Sequence, residues 1–328
     1  PTFGPPSSSH TLRERRVNEP GCAYMAPILA RIFRGHSFWT AVDASLDPCE
    51  PNYVMSQYVA EPFSALSALG LILAGSNAIH QSRKYNFETR FMLLGFAVVV
   101  MGASSAFFHV TLSQRAKGWE EMAMVWTAFG WLCVLTQMSN SSTNETPSIV
   151  MVASLGLGLW MSQLDIPIGP LIFGSRMILL VLSSCGMYFL NDCVKRYCNL
   201  ELIGWSKKDL GSAAHPSTLK LQLMARWQLA CGLLAFLVLV ASDMFCTSMC
   251  NFQLHALWHL LIGLSCHYGL QFAMALRQSI LHKAPPATSW SLGGLLGCVV
   301  PTEVPSRAMG AQLRWLLKMA GVDRLDSV

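Results

Sequence analysis

Long apolar runs separated by short polar stretches dominate this chain. They fall near residues 58–80, 90–110, 120–138, 147–164, 168–190, 223–242 and 253–276, each close to the roughly 17–25 residues a helix needs to cross a bilayer. Only the stretch QLDIPIGP separates the fourth from the fifth. The pattern predicts an all-α membrane protein, a seven-transmembrane helix bundle.

Composition agrees. Of 328 residues, 52% are hydrophobic and only 12% charged, against about 25% charged in an ordinary soluble domain. What lies outside the runs leaves no room for a soluble second domain. The net charge of +5 is modest and gathered in loops, so it bears on orientation and gives no reason to expect a nucleic-acid partner. No cleavable signal is legible, and the first span is expected to direct insertion. The eleven cysteines form no CxxC pair, and Cys133, Cys185, Cys231 and Cys266 read as small core residues within spans.

Basic residues set the expected orientation. Arg83, Lys84 and Arg90 follow the first span; Lys195, Arg196, Lys207, Lys208 and Lys220 lie between the fifth and sixth; Arg277 and Lys283 follow the seventh. On the opposite side only Arg115 and Lys117 interrupt the loop between the second and third. The C-terminus is therefore expected in the cytoplasm and the N-terminus in the lumen or outside. Arg13, Arg15, Arg16, Arg31 and Arg34 oppose this but stand well away from the first span.

This topology collects polar residues that are distant in the chain. Asp47, Glu50, Asn52 and Glu61, then Ser105 and His109, Glu120 and Glu121, and His255 and His259 all fall at the non-cytoplasmic end of the bundle. Ionisable groups at membrane depth are costly and mark function. In the run FQLHALWHLLIG, His255 and His259 are four residues apart, on one helix face. The pair resembles the HExxH of zinc hydrolases but has no adjacent Glu. With His109 at the same depth, three imidazoles and one water would form an open, catalytic type of zinc site. Ser105, one turn before His109, could donate to an oxyanion, and Glu120 could accept and return a proton. Each residue also has an ordinary reading. A lone span histidine is more often a hydrogen-bonded core residue, Ser105 could back-bond to the carbonyl of residue 101, and Glu120 suits a helix N-terminus. His215, His267 and His282 share neither this depth nor this face.

Four motifs, in this order, resemble the alkaline ceramidases: DPCEPNYVMSQYVAEPFSALSAL (Asp47 to Leu69), ASSAFFHVTLS (Ala103 to Ser113), WEEMAMVW (Trp119 to Trp126) and HALWHLLIG (His255 to Gly263). That family belongs to a larger superfamily of seven-span zinc-dependent hydrolases that includes the adiponectin receptors. The resemblance covers roughly residues 35–285. It implies zinc held by His109, His255 and His259, with Ser105 and Glu120 catalytic. It also implies calcium held by Asp47, Glu50, Asn52 and Glu61 with the carbonyl of Pro48. Oxygen donors of this kind suit a hard cation. Two positions depart from the family: Pro48 stands where relatives carry Trp, and Glu120 where they carry Asp.

The implied activity is hydrolysis of ceramide to a sphingoid base and a fatty acid, with the lipid substrate entering from the surrounding membrane lipids. A lipid hydrolase of different substrate, and a seven-span receptor or sensor with a structural or weakly active zinc site, remain the alternatives. The expected organisation is a lumenal or extracellular extension over 1–34, the seven-span domain over 35–285 and a cytoplasmic tail over 286–328, in the membrane of the ER or Golgi. The segment AQLRWLLKMAGV within that tail could lie on the membrane as an amphipathic helix. Cys49 is expected to pair with Cys246 or Cys250 on the oxidising side. Asn140 and Asn144, in N-x-[ST] sequons, are expected in the cytoplasm and so without glycan.

Overall fold

A computed structural model describes residues 38, 39, 50, 52, 53, 55–138, 186, 216–245, 252–282, 287–291 and 296–300. Helix α1 (Pro62–Ser67) opens with Pro at its first turn, where a missing N–H costs nothing. Ala68 keeps helical dihedrals, so α1 runs almost straight into α2 (Leu69–Lys84). After a turn with Asn86 in the left-handed region comes α3 (Thr89–Thr111), stopped by Leu112 at φ 47°. Ser113 then caps α4 (Gln114–Thr136) by accepting from the Ala116 N–H. Helices α5 (Pro216–Met244) and α6 (Leu254–His282), of 29 residues each, complete the described bundle.

Among the described residues, three segments are both long and apolar enough to cross a membrane: Pro62–Lys84, Thr89–Thr111 and Leu221–Ser242. Their outward residues, among them Leu69, Leu73, Leu233, Phe236 and Leu237, are exposed, as expected where lipid covers the surface. Helices α4 and α6 are long as well, but the polar residues that build the site dilute them. The fourth and fifth expected runs, 147–164 and 168–190, lie outside the described residues apart from 186.

Small residues let the helices approach closely, the usual solution where lipid removes the hydrophobic drive between them. A Cβ added to Gly75 of α2 would fall 2.5 Å from the Gly95 carbonyl oxygen of α3. One added to Gly263 of α6 would fall 3.1 Å from the backbone of Gly70. Leu71, Phe91, Leu94, Val98, Leu270 and Phe272 fill the core between these helices. At the end of the bundle away from the histidines, Arg277 donates to Glu88 and to the Met138 carbonyl. Arg90 pairs with the same Glu88 and donates to the Gln137 carbonyl. The two guanidiniums thus cover the first two carbonyls after α4, at the helix end where positive charge complements the dipole.

Three expectations change here. Arg90 and Arg277, read as loop charges, are buried within α3 and α6. Helix α4 begins at Gln114, so Glu120 does not open the span but sits in the second turn. The all-α expectation holds for every described element up to His282, but the segment read as tail contains a hairpin. Strands β1 (Ala287–Ser291) and β2 (Leu296–Val300) pair antiparallel, Ala287 opposite Val300 and Ser291 opposite Leu296.

Candidate active site

Helices α3 and α6 bring His109, His255 and His259 together. Their ring centroids form a nearly equilateral triangle with sides of 5.0, 4.9 and 4.9 Å. Three imidazoles around one tetrahedral cation, with metal–nitrogen distances of about 2.0–2.1 Å, would have centroids about 5 Å apart. One ligating nitrogen from each ring lies within 4.8 Å of the others. His109 and His259 are fully buried, and His109 Nε2 has no hydrogen-bond partner. A buried, unpartnered imidazole nitrogen facing two more imidazoles suits a cation. The cluster could hold a metal ion.

The short stretch 61–67 orients two of these rings. Glu61 Oε2 lies 2.6 Å from His109 Nδ1, which leaves Nε2 for the cluster. His259 Nδ1 lies 3.1 Å from the Ser64 carbonyl and 2.9 Å from Ser67 Oγ. A carbonyl only accepts, so this geometry assigns the proton of His259 to Nδ1 and the lone pair to Nε2. Outer partners of this kind fix ring orientation in metal sites. Backbone bonds from Ala60 N–H to Val110 O and from Glu61 N–H to His109 O tie the stretch to the end of α3.

Beside the triangle stands a hydroxyl–carboxylate pair. Ser105 Oγ donates to Glu120 Oε1 at 2.7 Å and lies 3.0 Å from His259 Nε2. Ser104, one residue earlier, makes the local bond to the Met101 carbonyl. The second oxygen of Glu120 accepts from Lys117 at 2.7 Å. Helix periodicity accounts for the pair: Ser105 and His109 are one turn apart on α3, and α4 packs alongside with Glu120 turned inward.

The structure therefore brings together five of the expected residues: His109, His255, His259, Ser105 and Glu120. Of the calcium set, Glu50, Asn52 and Glu61 are described. Asp47 and Pro48 lie outside the described residues, as do Cys49, Cys246 and Cys250. Both oxygens of Glu50 cap α1, accepting from the Phe63 and Ser64 N–H groups and from Ser64 Oγ at 2.8–2.9 Å. Sequence reasoning missed three contributors: Lys117, Ser64 and Ser67. Lys117 was visible at three residues from Glu120. The bonds from His259 to Ser64 and Ser67 cross 195 and 192 residues, and no local pattern announces them.

A helical membrane bundle that gathers three imidazoles beside a buried hydroxyl–carboxylate pair has the build of a metal-dependent hydrolase. Comparison with known proteins gives its family. The ceramidase family model matches residues 40–296. An alkaline ceramidase of Arabidopsis thaliana is 22% identical over 245 residues, covering 74% of this chain and 87% of that protein. Alkaline ceramidase 3 of Mus musculus is 23% identical over 273 residues, 80% of this chain and 92% of the mouse protein. Alkaline ceramidase YPC1 of Saccharomyces cerevisiae is 33% identical over 98 residues, 30% of each chain. The chain belongs to the ceramidase family, which places it among ceramide-hydrolysing enzymes.

Proposed function

We propose that this protein is a zinc-dependent intramembrane amidase that hydrolyses ceramide to a sphingoid base and a fatty acid. The observation that carries the reading is the Ser105–Glu120 pair set within 3.0 Å of a ring of the three-histidine cluster. His109, His255 and His259 would hold the zinc. Bound there, zinc supplies Lewis acidity toward the amide carbonyl and lowers the pKa of water to about 7.

The chain's own groups then divide the proton work. Glu120 accepts the proton of the attacking water as its oxygen bonds to the carbonyl carbon. Glu120 later passes that proton to the nitrogen as the C–N bond breaks and the sphingoid amine leaves. Ser105 has one proton, directed at rest toward Glu120 Oε1. Once Glu120 is protonated it can donate to Ser105 Oγ. The serine proton is then free to turn toward the oxyanion, at the step where negative charge develops. The extra methylene of Glu120 does not prevent this contact.

A calcium ion held by Asp47, Glu50, Asn52, Glu61 and the Pro48 carbonyl completes the reading. Glu61 links that loop to His109 through their 2.6 Å contact. The seven-span domain over 35–285 would sit in the ER or Golgi membrane with its C-terminus cytoplasmic, the ceramide chains lying among membrane lipids.

Ceramide turnover and zinc content measured on wild type, His255→Ala and His259→Ala test the proposal. Both variants should lose zinc and release of sphingoid base together. Full turnover without metal would overturn the mechanism. Binding of ceramide without steady product release would make the protein a lipid sensor instead.

A further inference from the structure

Lys117 occupies a position that helix physics and membrane topology both disfavour. It is the fourth residue of α4, where the macrodipole favours acids and not bases. A lysine preceding a glutamate by one turn is also the less favourable order of the pair. On the orientation proposed above it lies on the non-cytoplasmic side, against the usual distribution of positive charge. Lysines at such positions ordinarily extend their charge into water, but this one turns inward. Its side chain is 12% exposed and that of its partner Glu120 is 3% exposed. The ammonium sits 4.8 Å from the centre of the Phe108 ring, within cation–π range, and 2.7 Å from Glu120 Oε2.

The two oxygens of Glu120 are therefore divided: Lys117 on Oε2, Ser105 on Oε1. A glutamate side chain has three torsions, and burial alone does not choose among its rotamers. A cation fixed on one oxygen does, and it compensates for the desolvation of the carboxylate.

We propose that Lys117 is the positioning residue of the site, holding one oxygen of Glu120 so that the other is presented to Ser105 and the reacting atoms. This rests on the ceramide-hydrolysis reading. The hydrogen bond of Lys117 goes to Glu120 and its ring contact to Phe108, and its role is exerted through Glu120.

The full-length protein in lipid or detergent carries the test, with Lys117→Met, Lys117→Arg, Glu120→Gln and the Lys117→Met/Glu120→Gln double variant. Lys117→Met should lower kcat for ceramide by roughly 10- to 100-fold while KM stays within about twofold and zinc per chain is unchanged. Lys117→Arg should recover kcat to within about fivefold, since it retains the cation. In the Glu120→Gln background, Lys117→Met should cost nothing more, because residues acting as a unit are not additive. Unchanged kcat in Lys117→Met overturns the proposal. So does loss of zinc together with activity, and so does a full further loss in the Gln background.

A second readout needs no substrate. With cobalt in place of zinc, Lys117→Met and Glu120→Gln should shift the visible absorption of the metal alike, and Lys117→Arg should not. Absence of a shift in Lys117→Met overturns the assignment. Metal binding without ceramide turnover in wild type would overturn the functional reading alone, and the cobalt spectra would still decide the role of Lys117.

Discussion

At the scale of single residues, two carboxylates make different contacts within one small volume. Glu120 faces Ser105 and Lys117, and in the proposed mechanism it is the group that moves the proton. Glu120→Gln keeps the shape but cannot accept one. It should lower ceramide turnover by about 10²- to 10⁴-fold with zinc per chain unchanged, read by metal analysis beside product release. Glu61 contacts the outer nitrogen of His109, so its replacement should act on the metal first. For Glu61→Gln we expect zinc affinity to fall by roughly 10- to 100-fold, measured by competition with a chelating dye. The two variants separate chemistry from binding. Both carboxylates were legible in the sequence as polar residues at a membrane boundary, but their division of labour was not. The resemblance to the alkaline ceramidases implies Glu61 as a calcium ligand, whereas its contact to His109 spans 48 residues. Lys117 was counted as a loop charge, although it lies one helical turn from Glu120.

At the scale of elements, the six-residue helix α1 is the brace of the site. Glu61 precedes it, Ser64 and Ser67 hold His259 from within it, and Glu50 caps its start. The long helices were readable because a run of about twenty apolar residues is hard to mistake. Their packing was not, because it depends on where small residues meet across helices. Gly75 and Gly95 come into register only once α2 and α3 are antiparallel neighbours. Gly75→Leu should therefore push these helices apart, destabilising by about 1–3 kcal/mol or more, visible as a lower thermal midpoint and as lost zinc. The beginning of α4 was misplaced for a related reason. Apolar periodicity starts near residue 120, whereas the Ser113 cap starts the helix at Gln114 with polar residues already helical.

At the scale of the whole molecule, the site lies at one end of the bundle and the Arg277–Glu88–Arg90 cluster at the other. Metal should contribute to stability as well as to activity, since a ligand that binds only the folded chain raises its apparent stability. Stripping zinc with a chelator should abolish turnover and lower the thermal midpoint, and returning zinc should restore both. Arg277→Met, at the far end, should lower the midpoint by breaking a buried charged contact worth about 2–4 kcal/mol, while zinc per chain is retained. The two results together would separate the scaffold from the site.

The contact between Glu61 and His109 has a thermodynamic consequence for the molecule. On the proposed reading Glu61 serves the calcium loop and also orients His109, so occupancy of either site would bias the other. Such coupling is reciprocal: if ordering the loop tightens zinc tenfold, zinc orders the loop by the same factor, about 1.4 kcal/mol each way. The loop and the metal centre would then titrate as one linked system, and a cation offered to either should be felt at both.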